Sequence, residues 1–200
     1  VFTVNWDVDA AEKGGYEHFM FKEMMEQPKA ISDTISPRIR DGQVVLDNIS
    51  LTKRDLEELS RIYIVACGSA YHVGMVGKYL LEQMTRIPVE TDLASEFRYR
   101  EPVADEHCLV IVISQSGETA DSLAALREAK RLGCRTLSIV NVVGSSIANE
   151  SDDVIYTWAG PEIAVATTKA YSTQLTVMYL ISIYMAQVLG TVPREQLEQL

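Results

Sequence analysis

The sequence predicts an α/β fold: a doubly wound, mainly parallel five-stranded sheet with helices on both faces, stacked in three αβα layers. Three observations carry that prediction. Short apolar runs rich in β-formers recur from residue 62 onward, without the strict alternation of a half-exposed strand. Segments of helical periodicity separate them, as βαβ units require. The composition, 47% apolar and 23% charged over 200 residues, suits one sizeable domain with a short appended arm and argues against disorder or a fibre.

In chain order, residues 16–27 are rich in helix formers. Phe19, Met20 and Met24 are spaced for an apolar face and Glu23 for a solvated one. Pro28 either breaks that helix or starts another at its first turn. Residues 1–35 form a helical arm and 36–200 the main domain. Asp41-Gly42 marks a turn, and Thr52 before Lys53-Arg54-Asp55 opens a short amphipathic helix. The strands follow: 62–66, 88–91, 109–113, 136–140 and a weaker 154–158. Helices fill the gaps at 71–85, 120–132 and 168–189, with a short turn near 145–149.

Composition also limits function. A net charge of −10 opposes the phosphate backbone of nucleic acids and anionic membranes, and no dense run of Lys or Arg offsets it. An anionic ligand must be held by local donors. Cys67, Cys108 and Cys134 form no CxxC pair. An odd, sparse set argues against a disulfide framework or a metal cluster and fits a reduced, cytoplasmic compartment. Residues 1–15 hold no apolar signal-peptide core. The 168–189 helix is long enough to cross a membrane, but Ser172, Thr173, Gln174, Thr176, Ser182 and Gln187 interrupt it. A buried helix of an α/β domain is the reading that fits, with no membrane and no nucleic acid as partner.

In open parallel sheets ligands bind beyond the carboxyl ends of the strands, so the strand-to-helix junctions are informative. At Cys67-Gly68-Ser69-Ala70, Gly68 permits a sharp turn, and Ser69 is either a helix cap or a ligand donor. Ser114-Gln115-Ser116-Gly117-Glu118-Thr119 gathers three hydroxyls and an amide at a helix start, where a phosphate fits. With no lysine there, it is not a Walker-type loop. Glu118 and Asp121 would repel an anion, so they must point away. At the third junction, before the last long helix, Thr167 or Thr168 can cap and Lys169 is either solvated or functional. His18, His72 and His107 lack motif partners. Residues 95–100 form either a contact surface or a solvated helix. There is no G-x-G-x-x-G, and no nucleophile–base pair is visible.

These junctions resemble the sugar isomerase (SIS) domain. ACGSAY at 66–71, ASEFRYR at 94–100, SQSGETAD at 114–121, Asn141 with Gly144-Ser145-Ser146, and GPEIAVATTKA at 160–170 resemble the glutamine–fructose-6-phosphate aminotransferase family. The arm AEKGGY at 11–16 with Glu26-Gln27-Pro28 resembles that family's entry into its isomerase half. The resemblance implies a flavodoxin-like first SIS domain, following a glutaminase domain and preceding a second SIS domain, in a homodimer. The substrates implied are fructose 6-phosphate and glutamine, with glucosamine 6-phosphate as product. It implies that Ser114, Gln115, Ser116 and Thr119 hold the sugar phosphate, and that Gly68, Ser69, Val165 and Thr167 line the sugar. No catalytic residue and no cofactor fall in this chain: the isomerisation base, ring-opening histidine and Schiff-base lysine belong to the second SIS domain and tail. The family usually reads CGTS where this chain has CGSA, a lost hydroxyl at Ala70 worth about 0.5–1.5 kcal/mol if it touches the sugar. The alternative is a non-catalytic SIS module that senses a phosphosugar in a regulator.

Overall fold

The computed structural model describes residues 12–199. The first eleven residues of the proposed arm, Ala11 of its motif among them, lie outside these, as does most of the stretch weighed as a signal peptide. Five parallel strands form the main sheet: β3 (Arg61–Ala66), β4 (Val89–Leu93), β5 (Cys108–Ser114), β6 (Arg135–Val140) and β7 (Asp153–Tyr156). Before them a two-stranded hairpin, β1 (Ile39–Arg40) and β2 (Gln43–Val44), turns at Asp41-Gly42. The helices are α1 (Phe19–Ile35), α2 (Lys53–Glu57), α3 (Ser69–Thr85), α4 (Ala94–Phe97), α5 (Ala120–Arg131), α6 (Ser146–Glu150), α7 (Lys169–Leu189) and α8 (Arg194–Leu197). The predicted fold class and all five strands are present.

The apolar runs hide an alternation that both covered faces satisfy. Ile62, Ile64, Leu109, Ile111, Ile113, Leu137 and Ile139 pack with Val73 and Leu81 of α3 and Val177, Met178 and Ile181 of α7. Their neighbours Tyr63, Val65, Val110 and Val112 pack on the other side with Phe97 of α4, Ala125 and Leu126 of α5 and Ile147 of α6. Each face buries every second residue, so a strand between two helical layers reads as continuously apolar. Helix α7 has the length and hydropathy of a membrane span. Here it lies against α1, α3 and the sheet, with Val177, Met178 and Ile181 fully buried.

The first helix departs from its predicted faces. Met20, Phe21, Met24 and Met25 are exposed, whereas Lys22, Glu23, Ala30 and Thr34 are buried. The inward face of α1 meets charged and polar groups at the start of α7, so it carries their partners rather than apolar side chains. Pro28 neither breaks nor starts a helix: α1 runs through it. Proline cannot donate to the Met24 carbonyl one turn back. The Gln27 side-chain amide does so instead, at 3.1 Å. The short helix α2 follows its signal: Thr52 and Asp55 form a reciprocal capping box.

The strand order is β4-β3-β5-β6-β7. After β3 the chain steps outward to β4, then returns across to β5. The winding direction therefore reverses between β3 and β5, which is where such sheets open a crevice at their carboxyl ends. Register brings the exits level: Ala66 pairs with Ile113, and Ser114 with Val140.

Candidate functional site

The crevice is a cleft of about 240 Å³. From the first junction it takes Cys67, Ser69 and Ala70. Gly68 itself forms the turn, at φ +57° and ψ −135°, a conformation that only glycine holds without strain. It stands beside the lining rather than in it. The second junction supplies Ser114, Gln115, Ser116 and Thr119, and α5 adds Ser122. Thr167 and Gln174 close the cleft from the third junction and α7. Val165 is fully exposed and does not line it. Six of the eight predicted residues are thus brought together, while Gly68 and Val165 are not.

The 114–119 loop is shaped by its own hydrogen bonds. Gly117 N–H donates to Ser114 Oγ at 3.1 Å, and Glu118 N–H donates to Ser116 Oγ at 3.2 Å. Ser114 Oγ and Thr119 Oγ1 lie 3.1 Å apart. Thr119 is the N-cap residue of α5, but its hydroxyl makes no capping bond. The backbone N–H groups of Ser116 and Thr119 donate to no protein acceptor among the described residues. The loop therefore presents hydroxyl protons and free N–H groups at the positive end of a 12-residue helix. Gly117, at φ +66°, sits against the Ser145 side chain, and its Cβ would lie 2.5 Å from Ser145 Cβ. That close approach fixes the loop on α6, with Ile147 N–H donating to Gly117 O at 3.0 Å.

Both carboxylates that could repel an anion are turned aside. Glu118 accepts from Ser146 N–H at 2.6 Å, and that backbone bond, with the Ser146 hydroxyl, holds its carboxyl below the usual carboxylate range. Asp121 lies 3.4 Å from Arg98. Arg100, at the end of the same segment, pairs with Glu90 at 2.6 Å and with Asp92. Segment 95–100 thus has ion pairs on one side and buries Phe97 on the other, while Tyr99 stays exposed.

The third junction is built differently. Neither threonine caps α7 through its side chain. The Glu162 carboxylate does, accepting from Ala170 N–H at 2.8 Å, Thr168 N–H at 3.3 Å and Thr167 Oγ1 at 2.8 Å. Lys169 is not solvated: it is 3% exposed and donates to Glu26 Oε2 of α1 at 2.6 Å. Glu23 of α1 accepts from Ile163 N–H at 2.6 Å and Ala164 N–H at 3.2 Å. Asn141, after β6, ties the preceding turn by donating to Gly160 O at 2.7 Å and accepting from Thr157 Oγ1 and Ala159 N–H.

Cys67, Ser122 and Gln174 belong to the lining but were not predicted as site residues. Cys67 and Ser122 make one contact, Ser122 Oγ to Cys67 Sγ at 3.8 Å. Gln174 has a sequence signal, an amide inside an apolar helix, which also reads as evidence against a membrane span. The other two cysteines are buried, and burial pushes the Cys134 thiol up to about 12. No group of His, Cys, Asp and Glu able to hold a metal occurs among the described residues. A larger cavity of about 500 Å³ between the hairpin and α7 is mainly apolar, lined by Ile35, Val44, Leu180 and Ile183, and offers no comparable set of donors.

The SIS domain family matches residues 55–184. A curated glutamine–fructose-6-phosphate aminotransferase (isomerizing) from Clostridium tetani is 61% identical over 201 residues, spanning 100% of this chain and 33% of that protein. One from Caldanaerobacter subterraneus is 65% identical over 192 residues, spanning 96% of this chain and 32% of that protein. Among solved structures, the C-terminal domain of glucosamine-fructose-6-phosphate aminotransferase from Francisella tularensis superimposes with a TM-score of 0.88 at 41% identity, covering 94% of this chain and 53% of that one. The chain spans about a third of the length of the curated relatives it matches.

Proposed function

The chain belongs to the SIS domain family, and from that premise we propose that its cleft captures the phosphate of a sugar phosphate through Ser114, Gln115, Ser116 and Thr119. One observation carries this reading. The residues with free N–H groups, Ser116 and Thr119, and the hydroxyls of Ser114, Ser116 and Thr119 all belong to the lining of one crevice. The Ser116 hydroxyl already accepts from Glu118 N–H, so its proton is left to donate outward. A dianion meets donors and a helix N-terminus, with no cation in the lining. Binding by neutral groups is readily reversible, which suits a substrate.

The identity with the aminotransferases extends the proposal. This is the first SIS domain of an enzyme that converts fructose 6-phosphate and glutamine to glucosamine 6-phosphate and glutamate. A glutaminase domain supplies ammonia, and a second SIS domain supplies the base and the Schiff-base lysine. Lys169 is unsuited to the last role, because it is buried and paired with Glu26. The domain binds and orients the substrate without turning it over. Ser69 and Thr167 face the sugar, with Gly68 shaping the first wall and Val165 meeting it from the exposed loop. A cytoplasmic homodimer belongs to the same proposal.

Calorimetric titration of the chain with glucosamine 6-phosphate tests the reading. The double change Ser116→Ala and Thr119→Ala removes two hydroxyl donors to an anion and should weaken binding at least about tenfold. Equal affinity in the variant would place the phosphate elsewhere.

A further inference from the structure

Helix α7 carries six serine, threonine and glutamine side chains, and five have partners. Thr173, Thr176 and Ser182 donate to backbone carbonyls one turn back, at 2.9, 2.9 and 2.8 Å. Ser172 donates to the Gln27 amide oxygen. Gln187 bridges the backbone of Val44, accepting at 2.9 Å and donating at 3.0 Å. Gln174 is the exception. It is 3% exposed, and its amide has no hydrogen-bond partner among the described residues. It lies among the buried residues of the helix with Ala170, Val177, Met178 and Ile181, where an apolar residue would pack as well. Its amide atoms are not among the fully buried unpartnered atoms of the described residues, which are Ser138 Oγ and Ser145 Oγ, so the unpaired amide opens on the cleft that Gln174 lines. It lines that cleft together with Thr167, Ser69 and Ser114.

We propose that Gln174 is a specificity residue whose amide hydrogen-bonds a hydroxyl of the bound sugar. An amide offers a donor and an acceptor together. That pair complements a hydroxyl, which also does both. It matches a phosphate dianion poorly, since the dianion accepts only and has its own donors at 114–119. Gln174 thereby separates recognition of the carbon chain from recognition of the phosphate. The inference rests on the phosphate reading, and its test distinguishes the two.

The chain and its Gln174→Met variant, which keeps side-chain length and loses the amide, are each titrated with inorganic phosphate and with fructose 6-phosphate. Phosphate affinity is expected to stay the same, and fructose 6-phosphate affinity to fall about five- to tenfold. Unchanged affinity for both ligands overturns the assignment, and so does an equal loss for both. If a thermal melt shows Gln174→Met unfolded, Gln174→Asn, which draws the amide back by one methylene, is expected to give the same split. The phosphate reading fails separately, if Ser116→Ala with Thr119→Ala leaves inorganic phosphate binding intact.

Discussion

Two segments at the carboxyl end of the sheet are held in contrasting ways. The 114–119 loop is braced by its own hydroxyls, which accept its own N–H groups, and by the neighbouring α6, where its glycine packs on Ser145 and Gly117 O accepts from Ile147 N–H. The 160–168 segment is held from outside, by the Glu23 carboxylate and the Lys169–Glu26 pair with α1, more than a hundred residues away in sequence. Only Glu162 is its own. A loop braced by neutral groups can keep free donors for an anion. A segment fixed by carboxylates cannot sit as close to one, yet it can be placed by an arm that belongs to another part of the chain. The two elements divide the work between binding a charge and positioning a wall.

The contrast can be broken at its strongest point first. Gly117→Ala forces a side chain into a left-handed conformation and against Ser145, and should cost about 3–4 kcal/mol, read as a lowered urea midpoint. Because the loop is braced at Gly117, glucosamine 6-phosphate binding should disappear with it in titrations of the fraction still folded. Retained binding would show that the loop does not need its glycine.

Next, Glu26→Ala leaves Lys169 buried without its carboxylate. A stability loss of about 2–3 kcal/mol is expected, reduced from the fully buried case because Glu26 itself is partly exposed. Hydrogen exchange should rise at 163–170, while the hydrogen-bonded N–H groups of Gly117 and Glu118 keep their protection and inorganic phosphate still binds. Faster exchange in both segments would mean that they are not independent.

The smallest effect sharpens the comparison from the loop's side. The Glu118 carboxyl is held below its ordinary range, so its contribution is present above the unfolded-state value and lost as pH falls through the lower folded-state value. Glu118→Gln should therefore lower stability slightly at neutral pH and leave it unchanged in acid, which flattens the acid limb as pH falls through the carboxylate range. Urea midpoints across that range check it. An unaltered acid limb would mean that the bond to Ser146 carries no stability.

Much of the fold was legible along the chain. Runs such as 109–113 are apolar on both faces because helices cover both, and the gaps between them have helical spacing. The 114–119 loop was legible too, since its donors are local and crowded into six residues. Other features were not. The methionines of α1 have the spacing of a buried face but are exposed, because the opposite face carries the partners of α7. Lys169 reads as either a solvated or a functional cation until Glu26 is beside it. Continuation of α1 through Pro28 depends on the Gln27 amide reaching the Met24 carbonyl, a compensation no propensity scale includes.

The sequence by itself determined the layered α/β class, the five strands and the neutral donor loop, because side-chain alternation, helical spacing and local hydrogen bonding act over a few residues. The tertiary structure alone decided that the donors of β5–α5 face Ser69, Thr167 and Gln174 across one crevice, and that charges on α1 hold the wall beside it. Those pairings follow from strand order and helix packing, which join residues far apart in the chain and leave no periodic trace in it.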